Sequence, residues 1–593
     1  MLHLLVLLLI VALLFVAFRQ AIPRLPERGA LVIRPSGDLT EQLAGEPLSR
    51  ALNEAQGQGA PQTLLWSLTR AIRAAAHDGR IQALLIETDE LSGAGQVKLE
   101  ELAAAIAEFR HAGKKVVAHG SYFLQNQYLL AAQADEIYLD PFGFVMLDGY
   151  ARYRMFYKDA LDKLAIDVHL IRAGKFKSAG EPFIRRDMSE EDRQESSAYL
   201  QALWRGYRAN VGTARKLDPE ALNAYANGYA AAVAHAGGDT AAVALQARLV
   251  TALRTGGEVE QRMIELVGAD TAQHGFRAVS TEDYLRVVEA TAHLKSHKDG
   301  AVGVVIASGE IVDGDQPPGT VGGESTAALL RRARDDEDVK AVVLRIDSPG
   351  GSVLASEQIY REVRALRAAG KPVVASMGDL AASGGYYIAA PADEIVASAN
   401  TITGSIGVFA AVPTFDRTLA KLGVQVDGVG TTALSGMLRV DRPLQPQAEA
   451  ILQGSVNHSY AQFLERVADG RHKSSADIDT IAQGRVWAGS DALPLGLIDR
   501  VGTFDDALRA AARRAHLGAD YEVRVMEPEM TLTQRLLVNM RSSAVSALRA
   551  SGLMGAPRVQ VTVALAPLQR ELARWQRFAA GQRTYAYCFC SVE

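Results

Sequence analysis

Residues 339–344 read VKAVVL, a short apolar run that is typical of a strand buried in a parallel sheet. A similar run, IQALLI, stands earlier in the chain at residues 81–86. The four residues ADEI also occur twice, at residues 134–137 and at residues 392–395. The spacing between these two copies equals the spacing between IQALLI and VKAVVL. Two matches at one spacing indicate that a single unit of sequence occurs twice.

Two further matches extend the repeat in both directions. GKKVVA at residues 113–118 corresponds to GKPVVA at residues 370–375, after one small gap. The openings of the two copies, GALV at residues 29–32 and GAVG at residues 300–303, also correspond, at a larger spacing. Four matches in the same order predict a tandem duplication.

Each copy alternates strands with helices, which is the pattern of a parallel sheet covered on its faces. The sequence therefore predicts the α/β class, with one copy at residues 29–290, a second at residues 300–515 and a C-terminal extension at residues 516–593. In the second copy the predicted strands are residues 302–306, 340–346 and 372–376, and the predicted helices are residues 326–335, 355–369 and 383–390.

The N-terminus is apolar from residue 1 to residue 18, and Arg19 ends the run. This length just spans a bilayer, so residues 1–19 are predicted to be a transmembrane anchor. A cleaved signal peptide is the alternative, but the run is not followed by a small-residue cleavage site. Arg19, Arg24 and Arg28 follow the segment, and this charge bias weakly favours a cytoplasmic body.

The remaining composition excludes several classes of protein. The chain has 593 residues and a net charge of −5, and its charges are spread along the whole length without a basic block, so no nucleic-acid partner is expected. The two cysteines, Cys588 and Cys590, are too few for a disulfide framework and make a poor metal site. They are interpreted as incidental residues of the tail, and neither a metal nor a cofactor is predicted.

The two copies differ at positions suited to chemistry. The second copy has DSPGGS at residues 347–352 and AASGGY at residues 381–386, whereas the first copy has Gln125 at the position of Ser383. Glycine lacks a Cβ, so the Pro-Gly-Gly turn exposes backbone amides that can stabilise an oxyanion. A serine among small residues at the start of a helix is accessible as a nucleophile. Tight packing of turns and helices is the alternative explanation for each motif taken alone.

A serine nucleophile needs a base. No histidine occurs between Ser383 and His458, which disfavours a Ser-His-Asp triad with the histidine soon after the serine. A lysine acts as a base only if burial brings its pKa from about 10.4 down towards neutrality. Lys175 and Lys177 lie in the loop RAGKFKSAG after an apolar strand, and from the residues alone both are also compatible with ordinary solvated loop lysines.

These motifs resemble the signal peptide peptidase A (protease IV) family in its long, duplicated form, over roughly residues 29 to 510. GKFKSAGEPF at residues 174–183, TGSIG at residues 403–407 and QGRVWAG at residues 483–489 add to the two motifs of the second copy. The resemblance implies that Ser383 is the nucleophile, that Lys177 rather than Lys175 is the base, and that Ser405 orients the lysine.

The same resemblance implies properties of the whole protein. It implies a crotonase/ClpP-like fold in both copies, a homotetramer, and cleavage of remnant signal peptides and other hydrophobic peptides at the membrane. It also implies a single-pass protein of the inner membrane with a periplasmic catalytic body, against the weak charge bias.

Each copy has kept one half of the proposed pair, because Lys177 corresponds to Ser435 in the second copy. A single site is therefore expected, with oxyanion support from the amides of Gly350, Gly351 and Gly384. Two alternatives stay open at this point. One is a crotonase-type enzyme acting on acyl-CoA thioesters, and the other is a non-catalytic membrane scaffold.

Overall fold

The computed structural model describes residues 25–47, 49, 50, 53, 60–272, 274–292, 300–528, 585–588 and 590. The predicted membrane anchor, residues 1–19, lies outside the described residues. Among the residues that are described, no helix combines the length and the apolar character needed to cross a bilayer. The chain divides into two compact units, one formed by Met1–Glu41, Ala60–Gly149 and Trp204–His297, the other by Gln42–Gly59, Tyr150–Leu203 and Lys298–Glu593.

The first unit is built on a six-stranded sheet whose neighbouring strands are all parallel. Its apolar strands are buried on both faces under helices, as the sequence predicts. The order across the sheet is Ala252–Leu253, Glu136–Leu139, Lys115–Gly120, Ile81–Glu87, Gly29–Ile33 and Ala278–Ser280. The short strands outside it are Gly37–Thr40, Gln62–Leu64, Leu91–Gly93, Phe123–Leu124, Val145–Met146, Ala269–Asp270 and Gly275–Phe276. The helices are Leu65–His77, Gln96–His111, Gln125–Ala131, Pro219–His235, Thr240–Gln246, Gly256–Val267 and Thr281–Ala292.

The second unit contains a corresponding sheet of eight strands, all parallel to their neighbours except Val486–Ala488. Its path runs Val486–Ala488, Ile402–Gly404, Val373–Ala382, Val339–Ser348, Ala301–Ser308 and Glu522–Val525, with Glu394–Ala397 and Arg500–Val501 joined beside Val373–Ala382. The helices are Lys158–Leu164, Glu181–Ile184, Gly323–Asp335, Val353–Ala368, Gly384–Ala389, Asp416–Lys421, Pro446–Arg471, Ser475–Ile481, Gly489–Ala492 and Phe504–Arg514. One further helix, Glu190–Arg215, begins in the second unit and ends in the first.

A second, mixed sheet of six strands also belongs to the second unit. Its order is Asp167–Ala173, Val408–Thr414, Tyr585–Tyr587, Gly350–Ser352, Ile311–Val312 and Val321–Gly322. In this mixed sheet we call Val408–Thr414 the wall strand, Tyr585–Tyr587 the tail strand and Gly350–Ser352 the glycine strand. In the main sheet of the second unit we call Val373–Ala382 the serine strand.

The duplication is confirmed by equivalent contacts within each unit. In the first unit the carboxylate of Asp135 accepts a hydrogen bond from the amide of Val116 at 2.9 Å. In the second, Asp393 accepts from the amide of Val373 at 2.8 Å. The repeated ADEI motif thus fixes the start of one strand against the next in both copies, because an unpaired buried amide is costly.

The predicted elements of the second copy all exist with somewhat different ends, and one strand differs most in length. The strand predicted at residues 372–376 is observed as Val373–Ala382, because its second half pairs with Ile402–Gly404. This extension carries the chain directly to Ser383. The stretch 150–203, which holds Lys177, lies in the same compact unit as Ser383.

Candidate active site

Ser383 stands between the serine strand and the helix Gly384–Ala389, and its side chain is fully buried. Its backbone has φ of +56°, a left-handed conformation that L-residues with a side chain rarely adopt. The amide of Ser383 donates to the carbonyl of Gly404 at 2.8 Å and helps to hold this conformation. Strain of this kind is concentrated at functional sites, where the surrounding structure imposes it.

Lys177 is held by a loop, residues 174–180, that follows the strand Asp167–Ala173. The amide of Phe176 donates to the carbonyl of Gln483 at 2.8 Å. Gly484 lies so close that a Cβ there would stand 2.7 Å from the amide nitrogen of Lys177. Lys177 is only 2% exposed, so the solvated alternative is wrong for this residue, whereas Lys175 is exposed.

The structure brings three of the predicted side chains together. The Nζ of Lys177 lies 2.8 Å from Ser383 Oγ. It lies 3.0 Å from both the carbonyl oxygen and the Oγ of Ser405, whose backbone is also left-handed with φ of +50°. The amine therefore has three oxygen neighbours supplied by two serines.

Burial lowers the pKa of Lys177 to about 7, while the nearby carboxyl of Glu195 acts in the opposite direction and raises it. Removing an ammonium from water disfavours its charged form. An amine with a pKa near 7 is neutral in a large fraction of molecules at physiological pH. The arrangement therefore supplies a lysine that can accept a proton.

Glu195 is a residue that sequence reasoning missed. It lies on the helix Glu190–Arg215, is 3% exposed, and accepts a hydrogen bond from the amide of Val486 at 3.0 Å. Burial raises the pKa of Glu195 to about 8, so its carboxyl is largely protonated at neutral pH. No motif marks Glu195, because a glutamate in a charged helix resembles a solvated one in sequence.

The predicted glycines lie next to the serine. Gly350 has φ of +94°, and a Cβ on it would stand 2.5 Å from the amide nitrogen of Gly384 and 2.1 Å from the carbonyl oxygen of Ala586. Only glycine allows this approach. The amide of Gly350 donates to Ser348 Oγ at 3.2 Å, so this N–H is directed away from the role predicted for it. Gly351 lies in the same strand, in register with Ala586.

In the first copy, the residue that corresponds to Ser383 has a structural role. Gln125 begins the helix Gln125–Ala131, and its side chain accepts from the amide of Gly149 at 2.8 Å and donates to the same residue's carbonyl at 3.0 Å. The side chain closes a local loop, and both of its polar groups are used there. This copy therefore keeps the scaffold and places no nucleophile at this position.

The tail cysteines are not incidental, which corrects the interpretation drawn from the sequence. Cys588 and Cys590 form a disulfide with each other, and both are buried. Together with Lys177, Glu195 and Ser405 they line a small cavity. The tail residues were missed because a short strand that pairs with distant partners carries no recognisable pattern of its own.

Comparison with known proteins identifies the family of the chain. The profile of peptidase family S49 matches residues 108–270 and again residues 365–518. Protease 4 of Salmonella typhi is 38% identical over 95% of this chain and 90% of its own length. Protease 4 of Haemophilus influenzae is 35% identical over 98% of this chain and 94% of its own length.

Among solved structures, a mutant of ClpP1 from Listeria monocytogenes covers 35% of this chain and 94% of its own, at 14% identity and a TM-score of 0.23. A likeness this low carries no argument. The observed sheets and the two matches of the family profile confirm the parallel sheets and the duplication, and the crotonase/ClpP-like character of the fold stays a prediction.

Replacing Gly350 with alanine is expected to lower peptide hydrolysis about 100-fold. The added Cβ would displace the amide of Gly384 from its place beside Ser383. Gly370→Ala is the matched control: Gly370 also has a positive φ, +81°, but no described atom lies within 4 Å of its Cβ position. Hydrolysis rates and thermal unfolding of both variants test this, and equal activity losses would contradict it.

Glu195→Gln is expected to change the hydrolysis rate at pH 7 by roughly threefold or less. An amide resembles the protonated carboxyl and still accepts from the amide of Val486. Steady-state kinetics at pH 7 give the answer. A loss of about 100-fold with intact folding would show instead that an ionised Glu195 is needed.

Proposed function

The chain belongs to peptidase family S49 and is a serine peptidase, and we propose that Ser383 is its nucleophile and Lys177 its general base. The distance of 2.8 Å between Lys177 Nζ and Ser383 Oγ, both of them buried, is the observation that carries the proposal. Family membership decides against both alternatives, the acyl-CoA enzyme and the scaffold.

The contacts of the amine fit the first proton transfer. A neutral lysine amine has two N–H groups and one lone pair. The carbonyl and Oγ of Ser405 are acceptors for the two N–H groups, which leaves the lone pair for the hydroxyl proton of Ser383. Ser405 thereby orients the base.

The reaction then proceeds through an acyl-enzyme. Ser383 Oγ attacks the carbonyl carbon of the scissile peptide bond while Lys177 accepts its proton. The ammonium of Lys177 donates that proton to the leaving amine as the C–N bond breaks. Water, deprotonated by the same amine, hydrolyses the ester and restores Ser383.

The negative charge that develops on the carbonyl oxygen needs donors. We assign this role to the amides of Gly351 and Gly384, each worth about 3 kcal/mol in transition-state stabilisation. Gly350 contributes differently: it allows the close approach of the peptide carbonyl, because it has no side chain.

The physiological setting follows from sequence features. The apolar run at residues 1–18 supports a single-pass anchor in the inner membrane, and the family resemblance supports a periplasmic catalytic body. The same resemblance supports remnant signal peptides and other hydrophobic peptides as substrates and a homotetramer as the assembly.

Ser383→Ala and Lys177→Ala are each expected to reduce peptide hydrolysis by about 1,000-fold or more, because one removes the nucleophile and the other its base. Ser383→Ala should also abolish labelling by a fluorophosphonate. Lys175→Ala is the matched control, since this exposed lysine lies two residues from Lys177. Full labelling of Ser383→Ala, or equal loss in Lys175→Ala, would contradict the assignment.

The rate is expected to rise with pH through a midpoint near 7, following the neutral fraction of Lys177. Because the pKa of this lysine is lowered, its base form is present above pH 7 and is lost as the pH falls. The profile of kcat against pH on a hydrophobic peptide ester measures the midpoint in the peptide-bound enzyme. A midpoint above about 9, towards the pKa of a free lysine, would mean that Lys177 is not the titrating base.

A further inference from the structure

The C-terminal segment of the chain lies in the candidate active site as an extra strand. The tail strand is inserted in the mixed sheet between the glycine strand and the wall strand. It runs antiparallel to both, with Tyr585 in register with Ser352 on one side and with Phe409 on the other. A strand joined to neighbours on both edges binds through its backbone, largely independently of its side chains.

The carbonyl of Ala586 lies beside Gly384, the residue that follows Ser383, at 3.1 Å from the Cβ position of this glycine. Its oxygen lies 2.1 Å from the Cβ position of Gly350, and the amide nitrogen of Gly384 lies 2.5 Å from the same point. Ala586 is also in register with Gly351. The carbonyl therefore lies beside Gly351 and Gly384, the two glycines whose amides are assigned to oxyanion support, where a scissile carbonyl is expected.

The side chains of the segment alternate between two environments. Ala586 is fully buried in the main apolar cluster of the second unit, which also contains Ala381 and Tyr386. Tyr585 and Tyr587 lie in a different cluster, with Ala179 and Phe409. The position of Ala586 thus accepts a small side chain, whereas its two neighbours fill larger apolar sites.

The segment is also held beyond Ala586. Tyr587 is in register with Gly350, and the amide of Cys588 donates to the carbonyl of Pro349 at 2.8 Å. Cys588 and Cys590 are buried against a cluster that contains Tyr199. The peptide bond between Ala586 and Tyr587 is therefore anchored on both sides.

We propose that the tail strand, together with Cys588 and Cys590, is a competitive inhibitor within the chain, which binds the active site as a peptide substrate does. The inference rests on the proposed function of this site. It also defines the preferred substrate: an extended peptide with a small residue at the position of Ala586 and aromatic or large apolar residues on either side.

Anchoring on both sides explains why the segment inhibits instead of being consumed. Attack by Ser383 breaks the bond between Ala586 and Tyr587 and forms an ester with Ala586. The new amine of Tyr587 is retained by the pairing of Tyr587 and Cys588, so it attacks the ester and restores the peptide bond. A substrate without this second anchor releases its amine, and water completes hydrolysis.

Deleting residues 585–593 from the 593-residue chain tests the proposal. Competition by the tail raises KM and leaves kcat unchanged, and a tail bound in about nine of ten molecules raises KM about tenfold. The deletion is therefore expected to lower KM about tenfold at constant kcat. A synthetic peptide of residues 584–590 should raise KM again, and a scrambled peptide should not.

A full-length variant guards against misfolding of the deletion. Ala586→Trp cannot fit the buried site and should lower KM as the deletion does. Ala231→Trp is the control, because Ala231 is exposed on the helix Pro219–His235 of the first unit, and it should leave KM unchanged.

The outcomes separate the two proposals. An unchanged KM in both tail variants, with hydrolysis that depends on Ser383, would overturn the inhibitor and leave the proposed function intact. Mass spectrometry showing that the active protein has lost residues 587–593 would also overturn it, because the tail would then be a substrate. Absence of hydrolysis and of Ser383 labelling in every variant would overturn the proposed function as well.

Discussion

A lysine amine kept out of water is the constraint on which the candidate site depends. An ammonium at 2% exposure is costly when its described contacts are neutral oxygens, so the interior favours the neutral form and the pKa of Lys177 falls to about 7. The groups described in contact with the amine are backbone atoms and hydroxyl oxygens, not charged side chains. Gly484 packs against the lysine loop, and the carbonyl and Oγ of Ser405 receive the amine. Glu195, whose own pKa is raised by the same burial, stays largely uncharged and therefore does little to restore the ammonium.

The duplicated scaffold shows which features belong to folding and which to chemistry. Both copies start a central strand on an aspartate carboxylate, Asp135 in one and Asp393 in the other, so this contact belongs to the fold. The two copies differ in backbone strain at the position of the nucleophile. In the second copy Ser383 has a positive φ, whereas Gln125 at the matching place begins a helix and bonds to a nearby turn. A residue held in strain at one copy only is explained by function, because the scaffold forms without it in the other.

The sequence predicted the parallel sheets and the duplication, because buried strands and repeated motifs leave local patterns, whereas the pairing of Ser383 with Lys177 came from the resemblance to a known family. The serine strand was predicted too short because residues 380–382 pair with a strand that follows them, and local propensity does not encode that partner. Burial of Lys177 was not predictable from its loop alone, because the residues that cover it are distant in sequence. Glu195 and the tail strand were missed for the same reason. Each gains its role from neighbours hundreds of residues away.

The residues that shield the amine of Lys177 from water connect its pKa with peptide binding. Tyr587, Cys588 and Cys590 line the same cavity as Lys177, so the tail segment lies beside the amine whose pKa is lowered by burial. With the groove empty, water would reach this side of the amine and favour the ammonium. Any peptide that replaces the tail strand restores the cover. Under the proposed function, peptide binding therefore also dehydrates the amine of Lys177, and binding energy is used in part to prepare the proposed base.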